Sequence, residues 1–256
     1  MGRKLLEIAY LGTNYCGWQV QPNGITVQQV LQDSLLKILK HRPSVTGCSR
    51  TDSGVHAKSF FCHFDTDVQI PNTGLVLGLN TVLPDDIAAL NCYDVPDSFH
   101  ARYSTSGKLY RYSFLCSNIR NPFLSGRTLL IKNPIDLGLA NQYCNLLIGK
   151  HNFEAFSSIN RTVTDTVRTV SQCYVDSEDN IYNFYVKADG FLYNMVRIMV
   201  GTLLDFSAGK ITAEDINRAF ESGDRKLLGI TVPPQGLYLE KVFYDDLNNI
   251  TSREVY

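Results

Sequence analysis

The stretch TVQQVLQDSLLKILK, residues 26–40, decides how the chain is read. Val27, Val30, Leu31, Leu35, Ile38 and Leu39 recur at the helical period and form one apolar stripe. Thr26, with Gln29 three residues on, reads as a capping box, and Ile25 with Val30 as a hydrophobic staple. Before this helix, KLLEIAYLG (4–12) alternates as a strand. After it come two β-like runs, PSVTGCS (43–49) and SFFCHFD (59–65). A second helix, TGLVLGLNTVL (73–83), is stopped by Pro84, and IAALNCYDV (87–95) closes as a strand. The order is βαββαβ, the split βαβ pattern.

The remainder reads as an elaborated repeat. KLYRYSFLC (108–116) and RTLLI (127–131) are strands, and LGLANQYCNLLIG (137–149) is a helix. TVRTVSQCYVD (166–176) and NIYNFYVKADG (180–190) form a hairpin turning at 178–180. FLYNMVRIMVGTLLDFSAG (191–209) is an apolar helix, TAEDINRAFES (212–222) a capped one, and GLYLEKVFYD (236–245) the last strand. The expected class is α+β. It comprises two ferredoxin-like (RRM-like, βαββαβ) halves, 1–105 and 106–256, with their sheets side by side around a cleft.

Composition narrows the classes of function. A hydrophobic content of 44% and a charged content of 19% over 256 residues support a sizeable core and argue against disorder. No apolar run approaches a membrane span or a signal peptide, so a cytoplasmic protein is expected. Seven scattered cysteines without a C-x-x-C pair read as reduced thiols. The net charge is −1, yet it is segregated: residues 65–100 hold six aspartates and no Lys or Arg, while residues 101–127 hold five Lys/Arg and no acid. Such blocks allow a basic face that meets phosphates.

The chemistry concentrates in CSRTDSGVHA (48–57), a polar turn between two strands that carries Arg50, Asp52 and His56. Asp52-Ser53-Gly54 resembles the aspartic-protease triplet, but that dyad needs a second copy and none exists. His56, Cys62 and His63 lack a third convincing metal ligand, so no metal is expected. No P-loop or G-x-G-x-x-G occurs, so no nucleotide cofactor is expected either. Tyr110, Tyr112 and Phe114 share one face of a strand next to Arg111, a platform suited either to nucleobases or to an ordinary core. Arg197 is the one charge in the apolar stretch FLYNMVRIMVG (191–201) and needs a partner; Asp52 is a candidate.

Together these pieces resemble the tRNA pseudouridine synthase A family. The resemblance runs through YLGTNYCGWQVQPNGITVQ (10–28), SRTDSGVHA (49–57), HFDT (63–66), LNTVLPDDI (79–87) and FHARYSTSGKLYRY (99–112). It continues in DTVRTV (165–170), FLYNMVRIMVGTLL (191–204) and GLYLEKVFY (236–244). Ser49, Ser53 and Asn194 depart from the usual glycine, alanine and histidine. The resemblance implies isomerisation of uridine to pseudouridine at positions 38, 39 and 40 of the tRNA anticodon stem-loop, by a homodimer without cofactors. It implies that Asp52 is the catalytic aspartate and that Arg197 pairs with it. Tyr110 would stack on the uracil and take the C5 proton, Arg50 would intrude as the nucleotide flips, and Leu237 would floor the base. A non-catalytic RNA-binding module with tandem RRM-like halves is the alternative, although no RNP1-like string is present.

Overall fold

Thr26 does cap a helix, α1 (Val27–Leu39), its hydroxyl accepting from the Gln29 amide at 3.3 Å. Val27, Leu31, Leu35 and Leu39 are buried at four-residue spacing, and Lys40 ends the helix in the left-handed region at φ 64°. The computed structural model describes residues 2–158 and 165–245. It is an α+β protein of mixed strand pairing that divides into two compact units.

The first unit contains β1 (Gly2–Tyr10), α1, β2 (Thr46–Gly47), β3 (His56–Thr66), α2 (Asn72–Asn80) and β4 (Ile87–Val95), in the expected βαββαβ order. Antiparallel β1 lies between β4 and β3, with Ile8 opposite Phe60 and Leu6 opposite Cys62. Directly opposed residues point to the same face, so these four fully buried side chains form one core layer.

The expected strand over 43–49 shrinks to β2. The carbonyls of Pro43 and Val45 accept from the Gln32 and Gln28 side chains of α1 at 3.0 and 2.8 Å, which satisfies them without a β ladder. The expected division at 105/106 also changes at its far end. The last strand, β10 (Leu237–Phe243), pairs in parallel with β3, Tyr238 opposite His56 and Leu239 opposite Ala57. The first unit is therefore the chain up to Ser106 together with the residues from Tyr238 on, and the second unit is Gly107–Leu237.

In the second unit β5 (Gly107–Cys116), β9 (Ile181–Ala188), β8 (Val167–Glu178) and β7 (Gly149–Asn152) follow one another as antiparallel neighbours. A short β6 (Leu129–Ile131) runs parallel to β5. Gly149–Asn152 carries no apolar alternation, which is why β7 escapes a reading by pattern. Tyr112, Phe184 and Val175 stand opposite one another across three strands and are buried.

Helix α3 (Leu137–Leu147) packs on β8, where Asn141 donates to the Val175 carbonyl at 3.1 Å and accepts from its amide at 3.0 Å. Tyr143 of α3 donates its hydroxyl proton to the Met199 carbonyl of α4 (Met195–Ser207) at 2.8 Å. A Cβ on Gly201 of α4 would stand 1.8 Å from the Ile230 carbonyl oxygen, so only glycine admits that segment so close to the helix. Helix α5 (Ala213–Ser222) begins with both halves of a Thr212/Asp215 capping box. No helix among the described residues is long and apolar enough to cross a membrane.

Candidate active site

The turn that carries Asp52 leaves β2 at Cys48 and enters β3 at His56. Asp52 is half-buried and Arg50 is exposed. The loop closes on itself where the Val55 amide donates to the Asp52 carbonyl at 3.2 Å, with Gly54 at φ 78° supplying the left-handed position. Further restraints come from residues 10–18. The Tyr10 and Thr51 hydroxyls are 2.8 Å apart in a buried contact, and the Trp18 amide donates to the Thr51 carbonyl at 3.1 Å. On the other side of Asp52, the Ser53 hydroxyl and the Gly54 amide both donate to the Tyr15 carbonyl, at 3.2 and 3.3 Å.

Gly17 makes this approach feasible. Its φ is +81°, and a Cβ there would lie 2.5 Å from the Thr51 carbonyl oxygen. His56 is a structural residue: fully buried, its Nδ1 accepts from the Gly12 amide at 2.9 Å, and its ring lies 4.6 Å from that of Tyr238. His63 is likewise committed, its Nδ1 accepting from the Ala101 amide at 3.1 Å. Burial, reinforced by Arg3 and His100, holds its pKa down at about 4. Among the described residues no group of His, Cys, Asp and Glu could hold a metal ion.

The second unit holds Tyr110, Arg197 and Leu237. Of the aromatic row on β5, Tyr112 and Phe114 belong wholly to the core. Tyr110 is 6% exposed, and its ring meets Phe191 edge-on at 4.9 Å. Helix α4 starts four residues later than its apolar run, because Asn194 takes φ 61° before it. The Asn194 side chain is engaged as well. The Asn194 carboxamide oxygen accepts from Arg197 Nη1 at 2.9 Å, and its Nδ2 donates to the Ser158 hydroxyl at 2.7 Å.

Arg197 Nε donates to the Val232 carbonyl at 2.7 Å, and the Tyr112 hydroxyl donates to the Pro233 carbonyl at 2.7 Å. These two bonds hold the segment that leads through a 3-10 turn, Pro234–Gly236, into Leu237, which is 5% exposed. Burial pushes the Tyr112 hydroxyl well above the ordinary tyrosine range, so it stays a donor. The partners of Thr51, Ser53 and Gly54 in the 10–18 segment, and those of Arg197 at Asn194 and Val232, were not legible in the sequence. Each rests on a backbone carbonyl, a hydroxyl or an amide side chain, which leaves no periodic signal.

A half-buried carboxylate on a loop restrained from both sides, two residues from an exposed arginine, is a candidate for nucleophilic or acid–base chemistry. The model of one protein family, described as tRNA pseudouridine synthase, matches residues 8–104 and 143–245. The chain is 45% identical to tRNA pseudouridine synthase A 2 of Clostridium perfringens strain 13, over 93% of this chain and 98% of that protein. It is 42% identical to tRNA pseudouridine synthase A of Thermoanaerobacter sp. strain X514, over 95% and 100%. To the enzyme of that name in Staphylococcus aureus strain MRSA252 it is 41% identical, over 95% and 92%. The motifs around Asp52, Tyr110 and Arg197 thus sit in a chain that is similar along nearly its whole length to these enzymes, and it belongs to the tRNA pseudouridine synthase family.

Proposed function

We propose that the protein isomerises uridine to pseudouridine at positions 38, 39 and 40 of the tRNA anticodon stem-loop, acting as a cytoplasmic homodimer. Family membership supports a tRNA uridine isomerase. The observation that carries the reading to a residue is the Asp52 loop, restrained on both sides of the one carboxylate it offers. We further read the first unit as ferredoxin-like, because it has the βαββαβ order, and the second as an elaborated version of it.

The reaction breaks N1–C1′, turns the uracil and forms C5–C1′. C5 loses a proton and N1 gains one, so atoms and electrons balance without an oxidant or an energy source. Asp52 either attacks C1′ or takes a proton from the sugar to expel the base. Deuterium at C2′ slows the second route alone. Tyr110 stacks on the uracil and accepts the C5 proton, Leu237 lies beneath the base, and Arg50 fills the space the flipped nucleotide leaves. Arg197 keeps Asp52 ionised and aimed.

The test is release of tritium from tRNA labelled at uridine C5. Asp52→Asn and Asp52→Ala abolish release, while tRNA affinity stays within about tenfold because binding spreads over many phosphates. Turnover by Asp52→Ala removes the assignment, and binding without release by the unaltered protein favours the RNA-binding module. Arg197→Lys fails to restore turnover, since an ammonium cannot present a planar fork to two carboxylate oxygens. Wild-type turnover in Arg197→Lys excludes that role.

A further inference from the structure

The Asp52 loop is tied to a second carboxylate through a single residue. Ser53 and Gly54, immediately after Asp52, both donate to the Tyr15 carbonyl. The other end of Tyr15 is anchored as well: its buried side chain donates its hydroxyl proton to the Asp86 carboxylate. Asp86 is itself fixed on two sides. Its backbone carbonyl accepts from the Leu11 amide at 2.9 Å, and its second carboxylate oxygen accepts from Asn14 Nδ2 at 3.1 Å. Asp86 directly precedes β4, whose first residue, Ile87, stands opposite Tyr10 of β1. The chain of contacts therefore runs from the β1–β4 ladder through Asp86 and Tyr15 to the residue next to Asp52.

We propose that Tyr15 and Asp86 are positioning residues for the isomerisation, a strut that fixes the Asp52 loop against the β1–β4 ladder. The inference rests on the reading of Asp52 as the catalytic carboxylate. Its physical basis is that a nucleophile or base on a loop must be held within a fraction of an ångström of its working place. Backbone hydrogen bonds to one carbonyl do this only if that carbonyl is itself immobile. A tyrosine whose hydroxyl meets a charged acceptor provides immobility, because charge-assisted bonds are about twice as strong as neutral ones. Burial and the neighbouring Asp86 raise the Tyr15 pKa, so the donor persists at physiological pH.

The strut differs from an ordinary packing contact in what its loss should do. Tyr15→Phe keeps the ring in its buried place and removes only the bond to Asp86. Asp86→Ala removes the acceptor, and Asp86→Asn keeps a neutral one. Steady-state tritium release is measured with each folded variant, well below its own melting temperature and over a range of tRNA concentrations, with Asp52→Asn in parallel. The expected result is a kcat about tenfold lower in Tyr15→Phe and Asp86→Ala with KM within about twofold of wild type. Asp86→Asn should recover to within about threefold, and Tyr15→Phe/Asp86→Ala together should be no worse than either alone, because both break one strut.

If Asp52→Asn is inactive while folded Tyr15→Phe and Asp86→Ala turn over at the wild-type kcat, the strut is overturned and the Asp52 reading survives. A loss that lies entirely in KM overturns it equally, since that marks tRNA binding. Should Asp52→Asn itself release tritium at the wild-type rate, the catalytic reading falls, and the inference falls with it.

Discussion

Tyr110 shows how much a single hydroxyl can decide. Its ring lies in a row with Tyr112 and Phe114, which are core residues, but it alone keeps some exposure and meets Phe191 by an edge. Removing the oxygen leaves the ring, its packing and any stacking on a base intact. Tyr110→Phe should therefore bind tRNA with a Kd within about threefold of wild type. Its turnover should fall at least about tenfold if the hydroxyl moves the C5 proton. Near-normal tritium release from Tyr110→Phe would leave Tyr110 as a stacking surface only. The alternation in KLYRYSF told which residues share a face, yet not that two of the three rings are core. Burial depends on what the second layer brings, and the strand does not encode that.

At the scale of elements, β3 carries two histidines whose fates differ from what a metal-like spacing implies. His56 and His63 each accept a backbone amide through Nδ1 and are buried. Around His63 the charged and titratable neighbours are Arg3, His100 and Asp65, and Arg3 is itself paired with Asp65 at 2.8 Å. The folded His63 stays neutral down to about pH 4, whereas an unfolded histidine takes a proton near 6.5. Between those values the unfolded chain binds more protons, so stability rises with pH and is lost as the pH falls through the window. The contribution is about 2–3 kcal/mol when the whole window is crossed.

His63→Gln, which can still accept from the Ala101 amide, should show a shallower loss of stability between pH 6.5 and 4 than wild type, measured by urea unfolding at each pH. Parallel curves would show that His63 contributes nothing to acid sensitivity. The element boundaries themselves were mostly readable from pattern. β1, α1, β4, β9 and α5 follow period and caps closely, because each has an apolar face and a definite stop signal. β2 and the start of α4 were not readable. The α1 glutamines satisfy one, and a left-handed Asn194 sets the other.

For the whole molecule, the hardest feature to read was which unit owns the last strand. Leu237–Phe243 follows the second unit in sequence, yet from Tyr238 on it pairs in parallel with β3 and completes the first. Sequence proximity is a poor guide to a parallel pairing, which always spans a long connection. Tyr244, just beyond the strand, makes the ownership measurable. It is buried, its hydroxyl donates to the Ala101 carbonyl at 2.6 Å, and its ring lies 5.3 Å from Phe61 and 5.2 Å from Phe99. The Ser106 amide also donates to the Phe243 carbonyl at 2.9 Å.

Tyr244→Phe strands one buried carbonyl and should cost about 1–2 kcal/mol. Tyr244→Ala removes the ring from between two phenylalanines and should cost about 3–5 kcal/mol. Amide exchange would tell where that loss falls. With Tyr244→Ala, protection should weaken first in β1, β3 and β4, since these form the core that the ring closes, while β5, β8 and β9 keep theirs. A loss of protection confined to β5, β8 and β9 would assign the strand to the second unit. A stability change below about 1 kcal/mol in Tyr244→Ala would mean that the first core closes without it, because a ring buried between two others cannot be removed so cheaply from a packed interior.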